Sequence, residues 1–202
     1  PRPAVLSCEP TLLMRWLIPR WSDFQALHSG LEPHLVAGGG AFSFEAGVNL
    51  AIRRDDFAWP ASYHVEVLFA ERIGLVCRPD KVSEWFTGSG AALALSVAAP
   101  LLHTRTRLSA FEDWAQASGG PLPAGPARTF EHFYFSLQAA VAGLGVAIGP
   151  WHLVRDDIEA GLLAAPLGFV EDGSRYCLLA PRPIAAESLE ARLVQWLRAQ
   201  GA

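Results

Sequence analysis

Between Phe133 and Val154 the chain carries no Asp, Glu, Lys or Arg. A helix needs ~20 apolar residues to span a bilayer, and this stretch is long enough. Its interior argues for something else. Gln138, Gly143, Gly145, Gly149, Pro150 and His152 punctuate it. The pattern predicts a helix over 133–142, a glycine turn, a short strand at Val146-Ala147-Ile148 and a Gly-Pro stop. Such a helix–turn–strand unit belongs to a folded α/β domain rather than to a membrane span.

The rest of the chain alternates in the same way. Ala4 to Cys8 is a short apolar strand. Pro10-Thr11 opens a helix with Thr11 as a suitable N-cap, and Leu12, Leu13, Trp16 and Leu17 follow at helical spacing. Pro19 interrupts or kinks it, and Trp21, Phe24 and Leu27 resume the period. Leu31 to Val36 reads as a second strand, before the Gly38-Gly39-Gly40 turn. Val48 to Ile52 is a buried strand stopped by Arg53-Arg54-Asp55-Asp56. Residues 65–78 are strand-rich, and a short helix is expected over 91–99. Leu101 to His103 is a strand, Phe111 to Ala117 a helix, and Asp156 to Gly161 a short helix. Tyr176 to Ala180 is a strand. Residues 187–199 form an amphipathic helix with Leu189, Leu193, Trp196 and Leu197 on one face. Strands alternating with helices predict an α/β protein with largely parallel sheets.

Composition narrows the function. Of 202 residues, 51% are hydrophobic, which excludes intrinsic disorder. The length suits one large domain or two small lobes. Acidic residues number 20 and basic ones 16, for a net charge of -4. Lys81 is the one lysine; the other basic residues are arginines. Nucleic-acid binding needs a concentrated positive surface, so a small molecule or a protein is the expected partner. Cys8, Cys77 and Cys177 are widely spaced, each in an apolar stretch. They read as buried hydrophobes in a reducing, cytoplasmic compartment, without zinc spacing. The N-terminus shows no signal-peptide pattern and no initiator Met, and the chain reads as an excised piece of a longer protein.

Catalytic motifs are missing. There is no G-x-S-x-G elbow, P-loop or G-x-G-x-x-G, and Gly143-Leu144-Gly145 stands after a helix and before a strand, the wrong order for a dinucleotide. No cofactor is expected. Asp55-Asp56 and Asp156-Asp157 read as caps or surface turns. Thr104-Arg105-Thr106 is a carboxylate-binding candidate, since Arg grips one bidentately, but reads better as a solvated loop. Helix starts are more informative, because α/β sheets bind ligands at the carboxyl ends of their strands, where helix N-termini favour anions. Two places fit: Ser7-Cys8-Glu9-Pro10-Thr11, and Phe130-Glu131-His132-Phe133. Thr11 is either a ligand contact or simply a cap, and His132 either a contact or a surface loop residue. Asn49 is a candidate polar contact at the end of its strand. Arg53 either reaches the ligand or lies in solvent.

These residues resemble a known family. Pro10-Thr11-Leu12, then Arg15-Trp16-Leu17-Ile18-Pro19-Arg20 and Phe24, resemble the first helix of the effector-binding domain of LysR-type transcriptional regulators. Gly47-Val48-Asn49-Leu50-Ala51-Ile52-Arg53 resembles the family's G-V-D-L-A-I-R strand. Trp59-Pro60, Leu68-Phe69, Val76-Cys77-Arg78-Pro79, Leu101-Leu102-His103 and Trp114 fall in matching order. The most specific stretch runs from Leu137 to Pro150. It resembles the branch that includes glycine-cleavage and β-lactamase regulators. The order and spacing hold over some 190 residues.

The resemblance implies two Rossmann-like α/β lobes joined by crossover strands, similar to type-2 periplasmic binding proteins. Lobe I is placed at 1–77 plus 175–202 and lobe II at 78–174. It implies no reaction, but a small-molecule effector, anionic by the helix-start reading, held in the inter-lobe cleft. Thr11 and His132 are its expected helix-start contacts, with Ser7, Asn49, Arg53, His103 and Phe133 as lining. It further implies a homodimer pairing residues 12–28 with 134–143 of a second copy, with Trp21, Phe24, Tyr134 and Phe135 as interface candidates. The full-length protein is expected to be tetrameric and to bind DNA only through a winged helix-turn-helix preceding Pro1. The sequence departs from the family in having Asn49 for Asp, Arg54-Asp55-Asp56-Phe57 for a glycine-rich turn, and a bulky Phe133-Tyr134-Phe135. A transport solute-binding protein and a prephenate-dehydratase-like enzyme are the alternatives on the same fold.

Overall fold

The computed structural model describes residues 4–30 and 32–202. Leu31, at the start of the expected second strand, lies outside the described residues. The chain forms two compact units. One comprises the residues up to Glu71 with Gly173–Ala202, the other Arg72–Asp172.

In chain order the first unit begins with strand β1 (Val5–Cys8), helix α1 (Pro10–Leu12), a π-helical turn (Leu13–Leu17) and helix α2 (Ile18–Leu27). Strands β2 (His34–Ala37), β3 (Leu50–Arg54) and β4 (His64–Val76) follow. The second unit adds α3 (Val82–Trp85), the small strands β5 (Phe86–Thr87) and β6 (Ala94–Leu95), then β7 (Leu101–Thr104), α4 (Ala110–Ser118) and β8 (Ala127–Phe130). It continues with α5 (Phe133–Val141), β9 (Val146–Pro150) and α6 (Trp151–Glu159). Strand β10 (Val170–Ala180) and helix α7 (Leu189–Gly201) close the chain. Strands β4 and β10 each contribute residues to both units.

In the first unit β1 is central, parallel to β2 and β3, and β10 runs antiparallel to β3. In the second, β7 lies parallel to β8 and β9, and β4 antiparallel to β9. The sheets are therefore mixed rather than largely parallel. The two strands shared by both units supply the antiparallel pairs of these sheets, and β5 and β6 form a separate antiparallel pair.

The first helix departs from expectation at Pro19. Proline lacks an N–H, so a regular α-helix would leave one carbonyl without its donor there. The chain widens one turn instead, and the Ile18 N–H reaches back to the carbonyl of Leu13. One face of the helix then enters the first core. Leu12, Trp16, Leu17 and Phe24 are fully buried and Trp21 is 9% exposed. Trp21 stacks on Phe24, and Trp196 of α7 packs against both rings. Asp23 accepts a 2.8 Å bond from the Trp196 indole N–H. Trp21 and Phe24 are thus core residues, not free interface.

The second core gathers Ile73, Leu75 and Cys77 with Val146, Ile148, Leu101, Phe111, Trp114, Trp85 and Phe86. The charge-free stretch resolves into α5, the Gly143 turn at φ 79° and β9, before α6 begins at Trp151. No helix among the described residues is long and apolar enough to cross a membrane. Where a helix was expected over 91–99, the chain forms a single 3-10 turn (Gly90–Ala92) and β6, which pairs with β5. The backbone turns extended at Leu93 (φ -65°, ψ 125°), which ends the turn before a helix can continue.

Candidate functional site

In the first unit the carboxyl ends of β1, β2 and β3 present a cluster around one guanidinium. The sequence puts Arg53 just past its strand. It lies inside β3 and is 2% exposed. Its Nε donates to the carbonyl of Gly40 at 3.1 Å. Its first terminal nitrogen donates to the carbonyls of Ile52 and Ser7 at 2.9 and 3.3 Å. The second, Nη2, donates to Ser7 Oγ at 2.8 Å. The Phe42 ring lies 4.7 Å from the guanidinium carbon, a cation–π contact. Burial lowers the pKa of Arg53 from its ordinary value, but an arginine keeps its proton under these conditions. Ser7 is 3% exposed, so the hydroxyl and the cation are buried together.

Glycine 38 makes this proximity possible. Its N–H bonds the carbonyl of Cys8 at 2.8 Å. A Cβ there would meet Ser7 Oγ at 2.7 Å and Arg53 Nη2 at 3.2 Å. The loop can therefore lie against the pair only as bare backbone.

Thr11 is 1% exposed and sits three residues past the strand. It is not the N-cap. Glu9 holds that position, its carboxylate accepting from the N–H groups of Thr11 at 3.2 Å and Leu12 at 2.9 Å. Pro10 has no N–H to offer. The amides of this helix start are consequently occupied by the chain's own carboxylate. Asn49 lies elsewhere. Its Oδ1 accepts from the Val5 N–H at 2.7 Å and its own N–H bonds the Val5 carbonyl. Val5 begins β1, so Asn49 stands at the amino ends of the parallel strands, away from Ser7 and Arg53. Short of a charge, it satisfies a strand-end donor instead.

In the second unit Thr104 ends β7 and Ser136 lies one turn into α5. Both are buried, and their hydroxyl oxygens are 2.7 Å apart. His132 takes the N-cap position of α5 without a side-chain capping bond. Its ring stacks on Tyr134 at 5.0 Å. Phe133 is 5% exposed and carries the Arg107 guanidinium 5.1 Å from its ring centre, so it is an interior residue. His103 packs on Phe111 of α4 at 4.8 Å. Neighbouring strand residues face opposite ways, which turns His103 away from the Thr104–Ser136 side. Arg105 is 65% exposed on its side chain and pairs with Glu131 at 3.4 Å, the solvated loop that the sequence favoured.

Ser136, Glu9 and Gly38 were not singled out from the sequence as site residues. Ser136 carried a signal: it is a hydroxyl inside an otherwise apolar helix turn. Among the described residues no group of three or more His, Cys, Asp or Glu side chains is placed to hold a metal ion. Each unit thus offers buried hydroxyls where parallel strands meet a helix start, one of them beside a buried cation. Such hydroxyls and such a cation are groups that can hydrogen-bond a polar ligand.

Residues 4–202 match the family model described as the LysR substrate binding domain. The chain belongs to this family, the effector-binding domains of LysR-type transcriptional regulators. Over 202 residues it is 40% identical to the HTH-type transcriptional regulator TrpI of Pseudomonas aeruginosa, covering 98% of this chain and 67% of that protein. It is 28% identical over 210 residues to the glycine cleavage system transcriptional activator of Escherichia coli, covering 98% and 64%. The chain thus spans about two thirds of the length of these relatives. Among solved structures, the effector domain of AmpR of Pseudomonas aeruginosa superposes with a TM-score of 0.75 at 24% identity, covering 99% of this chain and 96% of that one. The regulatory domain of CrgA from Neisseria meningitidis gives 0.74 at 19%, covering 100% of both. These likenesses establish the fold, a mixed α/β, two-lobed architecture consistent with the periplasmic-binding-protein type.

Proposed function

We propose that this chain is the effector-sensing and dimerising part of a bacterial, cytoplasmic transcription factor whose DNA-binding helix-turn-helix lies in a preceding segment. The observation that carries the sensing role is the Ser7–Arg53 pair, a hydroxyl and a cation buried together where β1 meets its helix. Ser7, Thr11 and Arg53 are the proposed contacts in the first unit, and His132 and the Thr104–Ser136 pair those in the second. His103 and Phe133 support that second set from behind, and Asn49 is not among the contacts.

The effector acts only through the difference between its affinities for two conformations, and that difference is what reaches the DNA-binding segment. The strands shared by the two units are the proposed crossovers. Relatives named as a glycine cleavage activator and as AmpR favour a place near that branch. Dimerisation through residues 12–28 of one copy and 134–143 of another is supported by apolar exposure on both: Met14 49%, Ile18 53% and Leu27 63%, and Phe135 50%.

The test begins with a thermal-shift screen of small metabolites, followed by calorimetry of the hits. Thr11→Val and His132→Ala are expected to weaken binding at least several-fold. Unchanged affinity in both variants rejects the site. A folded chain that binds nothing across the screen rejects the sensing role.

A further inference from the structure

We propose that Arg53 is the charge-reading residue of the effector site, so that the effector carries an acidic group, a carboxylate or a phosphate. This rests on the sensing role proposed above and specifies its ligand.

Arg53 contrasts with the chain's solvent-facing, ion-paired arginines. Arg78, Arg105, Arg155, Arg175 and Arg198 reach solvent, and each pairs with a carboxylate: Asp80, Glu131, Glu159, Asp55 and Glu66. Arg53 is 2% exposed, and among the described residues no carboxylate lies within ion-pairing distance of it; the Glu9 carboxylate acts on it only through space. A buried charge is ordinarily matched by an opposite one, because desolvating it is costly. All its hydrogen-bond acceptors are neutral: three backbone carbonyls and Ser7 Oγ. They account for four of the five guanidinium N–H groups. The fifth is on Nη2, the nitrogen that also donates to Ser7. Ser7 Oγ accepts there, which leaves its own hydrogen for an incoming oxygen. Phe42 covers one face of the guanidinium, so recognition falls to its in-plane edge, the geometry that suits carboxylate and phosphate oxygens.

The helix amides cannot serve this role while Glu9 holds them. The acidic group therefore goes to Arg53 and Ser7, against which the neighbouring loop presents only the bare backbone of Gly38.

The experiment is thermal unfolding and calorimetry of the chain with inorganic phosphate, acetate and acetamide, against sodium chloride at matched ionic strength. Phosphate, acetate or both should raise the midpoint beyond the chloride control, and neutral acetamide should not. A response to phosphate alone identifies a phosphate-bearing effector, and a response to acetate a carboxylate. Arg53→Met should lower anion affinity at least tenfold. If it fails to fold, Ser7→Ala carries the test, with a several-fold loss expected, while Glu9→Gln should bind at least as tightly as the parent. No response to either anion overturns the proposal, as does equal binding by Ser7→Ala. A neutral metabolite whose binding depends on Thr11 but not on Arg53 or Ser7 overturns this inference and leaves the sensing role standing. Failure of every metabolite removes both.

Discussion

Thr104 and Ser136, 32 positions apart, bring their hydroxyl oxygens within 2.7 Å inside the second unit. The direction of the bond follows from a third group. Ser136 donates its one hydrogen to the carbonyl of Phe133 at 3.2 Å, so Thr104 is the donor to Ser136. The pair ties the end of β7 to the first turn of α5.

Removing Ser136 leaves the buried Thr104 hydroxyl without its acceptor, and removing Thr104 deprives Ser136 Oγ of its donor. Ser136→Ala and Thr104→Val should each lower the unfolding free energy by about 1–3 kcal/mol. The double variant should lose less than the sum, since it no longer strands a polar atom. Urea denaturation of the four proteins checks both statements.

Gly145 shows why the Gly143-Leu144-Gly145 sequence is structural. A Cβ at Gly145 would sit 2.6 Å from the carbonyl oxygen of Pro100 and 3.0 Å from Leu102. The first contact is with backbone, which cannot swing aside. Gly145→Ala should therefore destabilise by about 1–3 kcal/mol, seen as a lower urea midpoint.

The three thiols should be inert in the folded protein. Burial pushes the Cys77 and Cys177 thiols up to about 11. Burial also raises Cys8 well above its ordinary value. Thiolate is the reactive form, so iodoacetamide at pH 8 should leave all three unmodified until denaturant is added. Mass spectrometry reads the number of adducts.

Glu66 makes stability depend on acidity. Its carboxylate accepts from His64 Nε2 and from Arg198, each at 2.8 Å. The His64 hydrogen bond is the largest cause holding its pKa below the ordinary value. A depressed carboxylate stabilises the fold fully above the unfolded-state pKa, and that contribution disappears as pH falls through the folded value. The contacts are partly exposed, so Glu66→Gln should cost about 0.5–1 kcal/mol at pH 7. The gap between the variant and the parent should close in strongly acidic buffer, measured by thermal unfolding across pH.

Legibility of the sequence varied with burial. Helix α5, its glycine turn and β9 were readable because a charge-free, glycine-broken run has few solutions. Strand β8 was missed: Ala127, Arg128 and Thr129 are exposed at a sheet edge and give no apolar alternation. Helix α6 begins at Trp151, five residues before the expected start, because Pro150 supplies the residue before the helix and His152 is buried where a polar residue suggested a loop. Arg53 was placed at a strand end because charge ordinarily marks surface. Only the fold brings Gly40, Ser7 and Phe42 to it. Thr11 was recognisable as a residue near a helix start, but Glu9 is the cap, since a carboxylate one residue before proline reaches the first free amides. Asn49 occupies the family's acidic position, yet its backbone pairing puts it at the opposite strand end from Ser7.

The wide turn at Leu13–Leu17 gives the first helix one residue more than a regular helix of the same reach would hold. It acts as slack. A one-residue excision within that turn shortens no strand and moves no loop, because the turn tightens while Leu12 before it and Phe24 after it keep their places. The same excision within β3 would exchange its two faces and turn Arg53 out of the interior. Tolerance to a change of length is therefore concentrated where the carbonyl ladder has already shifted by one.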